Sequence, residues 1–200
     1  MTIAILTALC LLLSLPAQSA TFREGVDYTQ VAGIPEIKTP IVREFFSYNC
    51  PHCYYQDSKI TAMAALLGDD VLLERTPVGA ARPAWILSQQ AYYVAKKLKI
   101  SKQVHEQIFK QIHEKKAPFT QMAQLKAFFM AEGVKANEFD SAMASVDMKF
   151  ALSGYDMQAE FSGIKGVPAL LVNGRYLVSP GQLSAEQLAE LVNYLIALPQ

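Results

Sequence analysis

Apolar positions change their spacing along the chain, and each spacing predicts an element. Ile41-Val42-Arg43-Glu44-Phe45-Phe46 is a short run of branched and aromatic residues that predicts a central strand. Val71–Pro77 predicts another, closed by its proline, and Tyr28–Val31 a short one ahead of a loop holding Gly33, Pro35 and Pro40. Residues from about 51 to 67 read as a helix with Pro51 in its first turn and Gly68 as its stop. From about 84 to 162 the pattern is helical throughout: Val104, Ile108 and Ile112 recur every fourth position, and Phe139, Met143 and Val146 at spacings of four and three. Ser101, Thr120 and Asn137 are the expected N-caps and Gly133 a helix stop, giving four or five helices and no strand. Strand character returns in Ala169–Val172 and Arg175–Val178, joined by Asn173-Gly174, a strong two-residue hairpin signal. A last helix opens on the capping box of Ser184 and Gln187 and carries Leu188, Leu191 and Leu195 on one face.

Strand, helix and strand followed by a hairpin and a helix is what a thioredoxin-type sheet requires. The fold class expected is therefore α/β, a thioredoxin-like fold with an inserted all-helical domain. The expected division is 20–77 plus 163–200 for the thioredoxin-like part and 78–162 for the insert. Ahead of both, the apolar run from Ile3 to Ala17 is shorter than the roughly 20 residues that span a bilayer. With Pro16 near its end and running into Ala17-Gln18-Ser19-Ala20, it predicts a signal peptide over residues 1–19, cut after Ser19, although the first 20 residues of the chain hold no Lys or Arg. With 52% hydrophobic residues the chain can bury a sizeable core. Its formal net charge of zero gives no reason to expect nucleic acid or a polybasic membrane contact.

Cys10 would leave with the leader, and only Cys50 and Cys53 would remain. A disulfide framework needs several spaced pairs, and a pair three apart closes a loop too small to stabilise a fold much. The two are therefore expected to be reactive. A cysteine opening a helix sits where unpaired N–H groups and the helix dipole favour an anion, which lowers its pKa. A second cysteine one turn on can attack a mixed disulfide at the first. Cys50 is thus the expected exposed nucleophile and Cys53 the buried resolving thiol, with His52 between them further favouring the thiolate. Zinc would need more ligands, and the other histidines, His105 and His113, read as solvated positions on a polar helix, so no metal is expected. The methionines at 122, 130, 143, 148 and 157 read as core filler, and Trp85 as a packing residue.

Glu44-Phe45-Phe46-Ser47-Tyr48-Asn49-Cys50-Pro51-His52-Cys53-Tyr54 closely resembles the active-site strand and helix of the bacterial DsbA family. Lys165-Gly166-Val167-Pro168-Ala169, with Val172-Asn173-Gly174-Arg175-Tyr176 after it, resembles that family's second characteristic segment, and element order and helical insertion fit as well. The resemblance implies that Pro168 is a cis-proline lying against the dithiol and exposing the Val167 backbone to an extended substrate peptide. Val167, in place of a hydroxyl residue, is more similar to the oxidase branch than to the isomerase branch. The resemblance also implies that Glu44 is a buried acid suited to moving protons as Cys53 ionises. Arg75 stands where the family often has a lysine that can pair with that acid, so burial and pairing pull the Glu44 charge in opposite directions; an edge-strand surface carboxylate is the alternative. Lys165 stands where the family often has a basic residue.

The activity so implied is that of a periplasmic thiol:disulfide oxidoreductase, a monomer without metal or organic cofactor. It would donate the Cys50–Cys53 disulfide to unfolded, reduced secreted proteins and be reoxidised by a DsbB-like membrane quinone reductase. A reductase or isomerase of the same fold normally adds a dimerisation segment, for which the stretch between leader and strand leaves no room. A non-catalytic peptide-binding holdase is the second class of reading; replacing Cys50 by Ala would leave a holdase intact and abolish an oxidase.

Overall fold

The computed structural model describes residues 22–33 and 40–199. The predicted leader with Cys10, and Pro35 of the early loop, lie outside the described residues. The strands are β1 (Thr29–Gln30), β2 (Ile41–Phe46), β3 (Leu72–Pro77), β4 (Ala169–Val172) and β5 (Tyr176–Val178). They form one sheet in the order β1-β5-β4-β2-β3. Only β2 and β3 pair in parallel; the other neighbours are antiparallel. Helix α1 (Pro51–Ala65) provides the crossover between the parallel strands, and α7 (Ala185–Ala197) ends the fold. Five helices intervene between β3 and β4: α2 (Pro83–Lys97), α3 (Ser101–His113), α4 (Met122–Ala131), α5 (Ala136–Met143) and α6 (Val146–Phe161). Among the described residues no helix is long and apolar enough to cross a membrane.

Alternation along β2 decides which side chain meets which layer. Val42 joins Ile60 and Met63 of α1, Leu170 and Val172 of β4, and Leu188, Leu191 and Leu195 of α7 in one buried cluster. Phe45, on the opposite face, packs with Leu171 and with Ala159 of α6. The third cluster crosses from sheet to helical block: Phe46, Tyr48, Cys50 and Cys53 share it with Ala91, Val104, Ile108, Phe109 and Phe129. The dithiol is therefore seated where the two packing regions meet.

The hairpin turn is as expected, with Asn173 and Gly174 both at positive φ (50° and 66°). Ser184 caps α7, its hydroxyl accepting from the Gln187 N–H. Gly133 has a positive φ of 91° just beyond α4. The internal N-caps differ from expectation: Ile100, Gln121 and Lys135 occupy them instead of Ser101, Thr120 and Asn137. At α4 the Gln124 side chain accepts from the N–H groups of both Thr120 and Gln121, and this bonding moves the cap one position. The methionines also divide. Met143 and Met148 pack against the core, whereas Met122, Met130 and Met157 are 38%, 49% and 49% exposed, because they fall off the buried faces of their helices.

Candidate active site

The strand β2 delivers the chain to the dithiol through a tight connection. The Cys50 N–H donates to the Ser47 carbonyl at 3.0 Å, and the Asn49 side chain donates to the carbonyl of Ala84 (3.0 Å) and bonds the Ser88 hydroxyl. Cys50 is then the N-cap of α1 in an extended conformation, Pro51 occupies the first turn, and Cys53 lies inside that turn. Both cysteines are thiols in this structure. Cys53 is fully buried, as expected; Cys50 is only 6% exposed, less than its expected role implied. The reason is the Val167 carbonyl, which accepts from the Cys50 thiol at 3.4 Å. The Val167–Pro168 peptide is cis.

The two thiols have opposite proton affinities. The Cys50 pKa is pulled down to about 6, chiefly because its thiolate accepts from the Cys53 thiol. Burial opposes this, and the His52 and Cys53 N–H groups at the helix N-terminus and the His52 side chain reinforce it. The Cys53 pKa is pushed far up, by the bond it gives to Cys50 and by burial, with the Cys50 and Glu44 charges adding to the effect. His52 itself is exposed. An open cleft of about 570 Å³ beside the dithiol is lined by His52 and Gln56 of α1, the segment Ile164–Ala169, and residues 177–182. Lys165 is exposed on that lining.

Glu44 is 1% exposed, so the surface-carboxylate alternative does not hold. Positions 44 and 75 are register partners in the parallel β2–β3 pair, and both side chains project to the α1 face. Arg75 Nε donates to Glu44 Oε2 at 2.8 Å, while its Nη2 reaches Thr61 Oγ1 at 2.9 Å and Asp57 Oδ1 at 3.3 Å. Burial pushes the Glu44 pKa up to about 7 even though Arg75 pulls it down, because one guanidinium is divided between two carboxylates and Asp57 pushes the same way as burial. Pairing with Arg75 therefore does not keep Glu44 ionised through the neutral range.

His105 and His113 are not the solvated positions expected of them. His105 Nε2 bonds Asp57 Oδ1 at 2.8 Å and its Nδ1 meets the Tyr48 hydroxyl at 2.8 Å. His113 Nε2 donates to the Tyr48 carbonyl at 2.8 Å, and its ring stacks on Tyr54 with centroids 4.8 Å apart. Both are held because α3 packs across α1 and buries the side that carries them. Trp85 is half-buried against the core, with the Arg82 guanidinium 4.7 Å above its ring. Asn49, Asp57, Tyr48 and the two histidines are the site residues that sequence reasoning passed over. Phe109, midway between the histidines and on the same row, is the signal that this side of α3 is buried.

Residues 71–193 match the family of DSBA-like thioredoxin domains. The thiol:disulfide interchange protein DsbA of Dickeya dadantii is 29% identical over 198 residues, covering 94% of this chain and 94% of that protein. Its counterpart in Escherichia coli K12 is 26% identical over 202 residues, covering 92% and 93%. Among solved structures, Pseudomonas aeruginosa DsbA superimposes with a TM-score of 0.77 at 26% identity, over 85% of this chain and 90% of that one. A Proteus mirabilis DsbA variant holding a non-covalently bound peptide gives 0.77 at 28% identity, over 90% and 100%.

Proposed function

The chain belongs to the DSBA-like thioredoxin domain family, and we propose on that footing that it is a protein dithiol:disulfide oxidoreductase that donates its Cys50–Cys53 disulfide to newly secreted proteins. The observation that carries this is the split between the two thiols. A low pKa at Cys50 makes it a good leaving group and stabilises the reduced dithiol, so the disulfide tends to be given away. A substrate thiolate attacks Cys50 Sγ, the Cys50–Cys53 bond breaks, and the electron pair leaves on Cys53. The Cys53 thiolate is costly in its buried seat and takes a proton; Glu44, titrating near neutrality in the same buried site, is suited to supply it. A second substrate thiolate then attacks the substrate sulfur of the mixed disulfide and Cys50 departs as thiolate. The substrate loses two electrons and the dithiol gains them.

In this proposal Cys50 and Cys53 are the catalytic pair, His52 and Pro51 tune and place Cys50, and Glu44 carries the proton. The cleft beside Val167 and Pro168 would take an extended, unfolded peptide, pairing its backbone with that of Val167. The peptide bound to the Proteus relative supports this reading. Periplasmic location after removal of the leader over 1–19, reoxidation by a DsbB-like membrane quinone reductase, and the division into a thioredoxin-like unit (20–77 with 163–200) and a helical insert (78–162) belong to the same proposal. Oxidative refolding of a reduced, unfolded disulfide protein tests it. The wild type in its disulfide form should supply disulfides stoichiometrically and Cys50→Ala none; refolding assistance that survives in Cys50→Ala would instead establish a peptide-binding holdase.

A further inference from the structure

Beneath the dithiol, two carboxylates compete for one guanidinium, and a residue of the helical block decides how they share it. Arg75 leans toward Glu44, at 2.8 Å, and reaches Asp57 only at 3.3 Å. The shorter bond to Asp57 comes from elsewhere, from His105 Nε2 on α3 at 2.8 Å. On its other side His105 is fixed by Tyr48. Asp57 as a carboxylate can only accept, so the proton of the ring sits on Nε2 facing it, and Nδ1 accepts from the Tyr48 hydroxyl, which burial keeps protonated. We propose that His105 is a positioning residue for proton exchange at Cys53: by satisfying Asp57 from α3, it releases Arg75 to Glu44.

Among the described residues the groups around this cluster are few. Arg75 from β3, Asp57 and Cys53 from α1, and the hydroxyls of Tyr48 and of Tyr92 from α2 face Glu44. His105 faces Asp57, Tyr48 and Arg75, with Glu106 of its own helix and the rings of Phe46 and Phe109. Burial lowers the His105 pKa, the Arg75 charge lowers it further, and the bond to Asp57 only partly opposes them, so the ring is neutral at neutral pH. Removing it takes away no charge. A change at Glu44 on its removal therefore has to travel through the position of Arg75. Without His105, the bond from Arg75 is what remains to Asp57 among the described residues, so Asp57 draws the guanidinium toward itself and leaves Glu44 less well paired. Removing the charge of Asp57 has the opposite effect, because it ends the competition.

The inference rests on Glu44 as the proton carrier, but its test reads the carboxyl directly and does not depend on disulfide donation. The ¹³C carboxyl resonance of Glu44, assigned by its loss in Glu44→Gln, is followed against pH in the full reduced protein. In His105→Phe and in His105→Asn, whose side chain is too short to reach Asp57, the midpoint should rise by about 0.5 pH unit or more, about threefold in proton affinity. In His105→Gln, which keeps a donor toward Asp57, it should stay near the wild-type value, and in Asp57→Asn it should fall. A midpoint unchanged or lowered in His105→Phe and His105→Asn overturns the proposal; should His105→Phe not fold, His105→Asn and Asp57→Asn decide it by the opposite signs of their shifts. The pH midpoint for attack of Cys53 on a glutathione mixed disulfide at Cys50 should move with the carboxyl in each variant, a dependence that a merely structural role would not produce.

Discussion

Glu44→Gln replaces a buried acid by a neutral amide of the same shape, and its effect on stability should depend on pH in a way fixed by the site. The carboxyl, ordinarily near 4.5, titrates at about 7 in the fold because burial outweighs Arg75. Between those values the folded chain holds a proton that the unfolded chain has released, so stability falls as pH rises through that window. The fold has its full contribution from Glu44 below pH 4.5 and has lost about 3 kcal/mol of it above 7, at about 1.36 kcal/mol per tenfold change in proton affinity. Gln cannot ionise and escapes this loss. Urea unfolding of the reduced wild type and variant, measured side by side from pH 4.5 to 8, isolates the effect, since every other titrating group is common to both. The difference in unfolding free energy should move by about 3 kcal/mol in favour of Gln across the range, whatever constant offset the lost carboxylate–guanidinium bond adds. A difference that stays flat, or that moves in favour of Glu, would mean that Arg75 holds the carboxylate ionised throughout, and the account of Glu44 would fail.

Three further outcomes follow from the same geometry. In Cys53→Ala, thiolate absorbance should show the Cys50 pKa rising from about 6, since the largest contribution to lowering it is the bond from Cys53; His52→Leu should raise it by less. A larger rise in His52→Leu would make the histidine, and not the paired thiol, the main stabiliser of the thiolate. Ser184→Ala removes the hydroxyl that accepts from Gln187 N–H at the start of α7 and should cost about 1 kcal/mol in denaturant unfolding. Ile60→Ala, at a fully buried position between α1 and the sheet, should cost about 2–5 kcal/mol by the same measurement, and a loss under 1 kcal/mol would contradict its place in the core.

Local chemistry made the elements legible. Asn173-Gly174 accepts two consecutive positive φ values, and Ser184 with Gln187 satisfies its own helix start, so neither depends on distant partners. Cys50, Cys53 and Pro51 were readable for the same reason, because one helix turn sets their relation. What sequence reasoning missed depends on contacts between segments far apart in the chain. The meeting of Glu44 with Arg75, which the family resemblance suggested, is a matter of strand register, and the sharing of Arg75 with Asp57, which nothing suggested, depends on how α1 lies over the sheet. On α3 the apolar row Val104, Ile108 and Ile112 was visible, but the buried stripe is wider and takes in His105, Phe109 and His113 beside it. The width of a buried stripe is set by the neighbouring helix, and two polar rings at its edge read as solvent-facing until that helix is in place. The near-complete covering of Cys50 has the same origin, since the Val167 carbonyl arrives from over a hundred residues away.

The equilibrium of the Cys50–Cys53 pair with glutathione, followed across pH together with the Cys50 thiolate absorbance, decides whether this dithiol gives its disulfide away. A Cys50 pKa of about 6 makes the thiolate the main form at pH 7, and this ionisation alone should favour the reduced dithiol about tenfold, or about 30 mV, over a pair with an ordinary thiol. The equilibrium should be oxidising, with a pH dependence that breaks near 6, where the thiolate forms. A reducing equilibrium, with Cys50 titrating near 8.5 like a free thiol, would contradict this expectation.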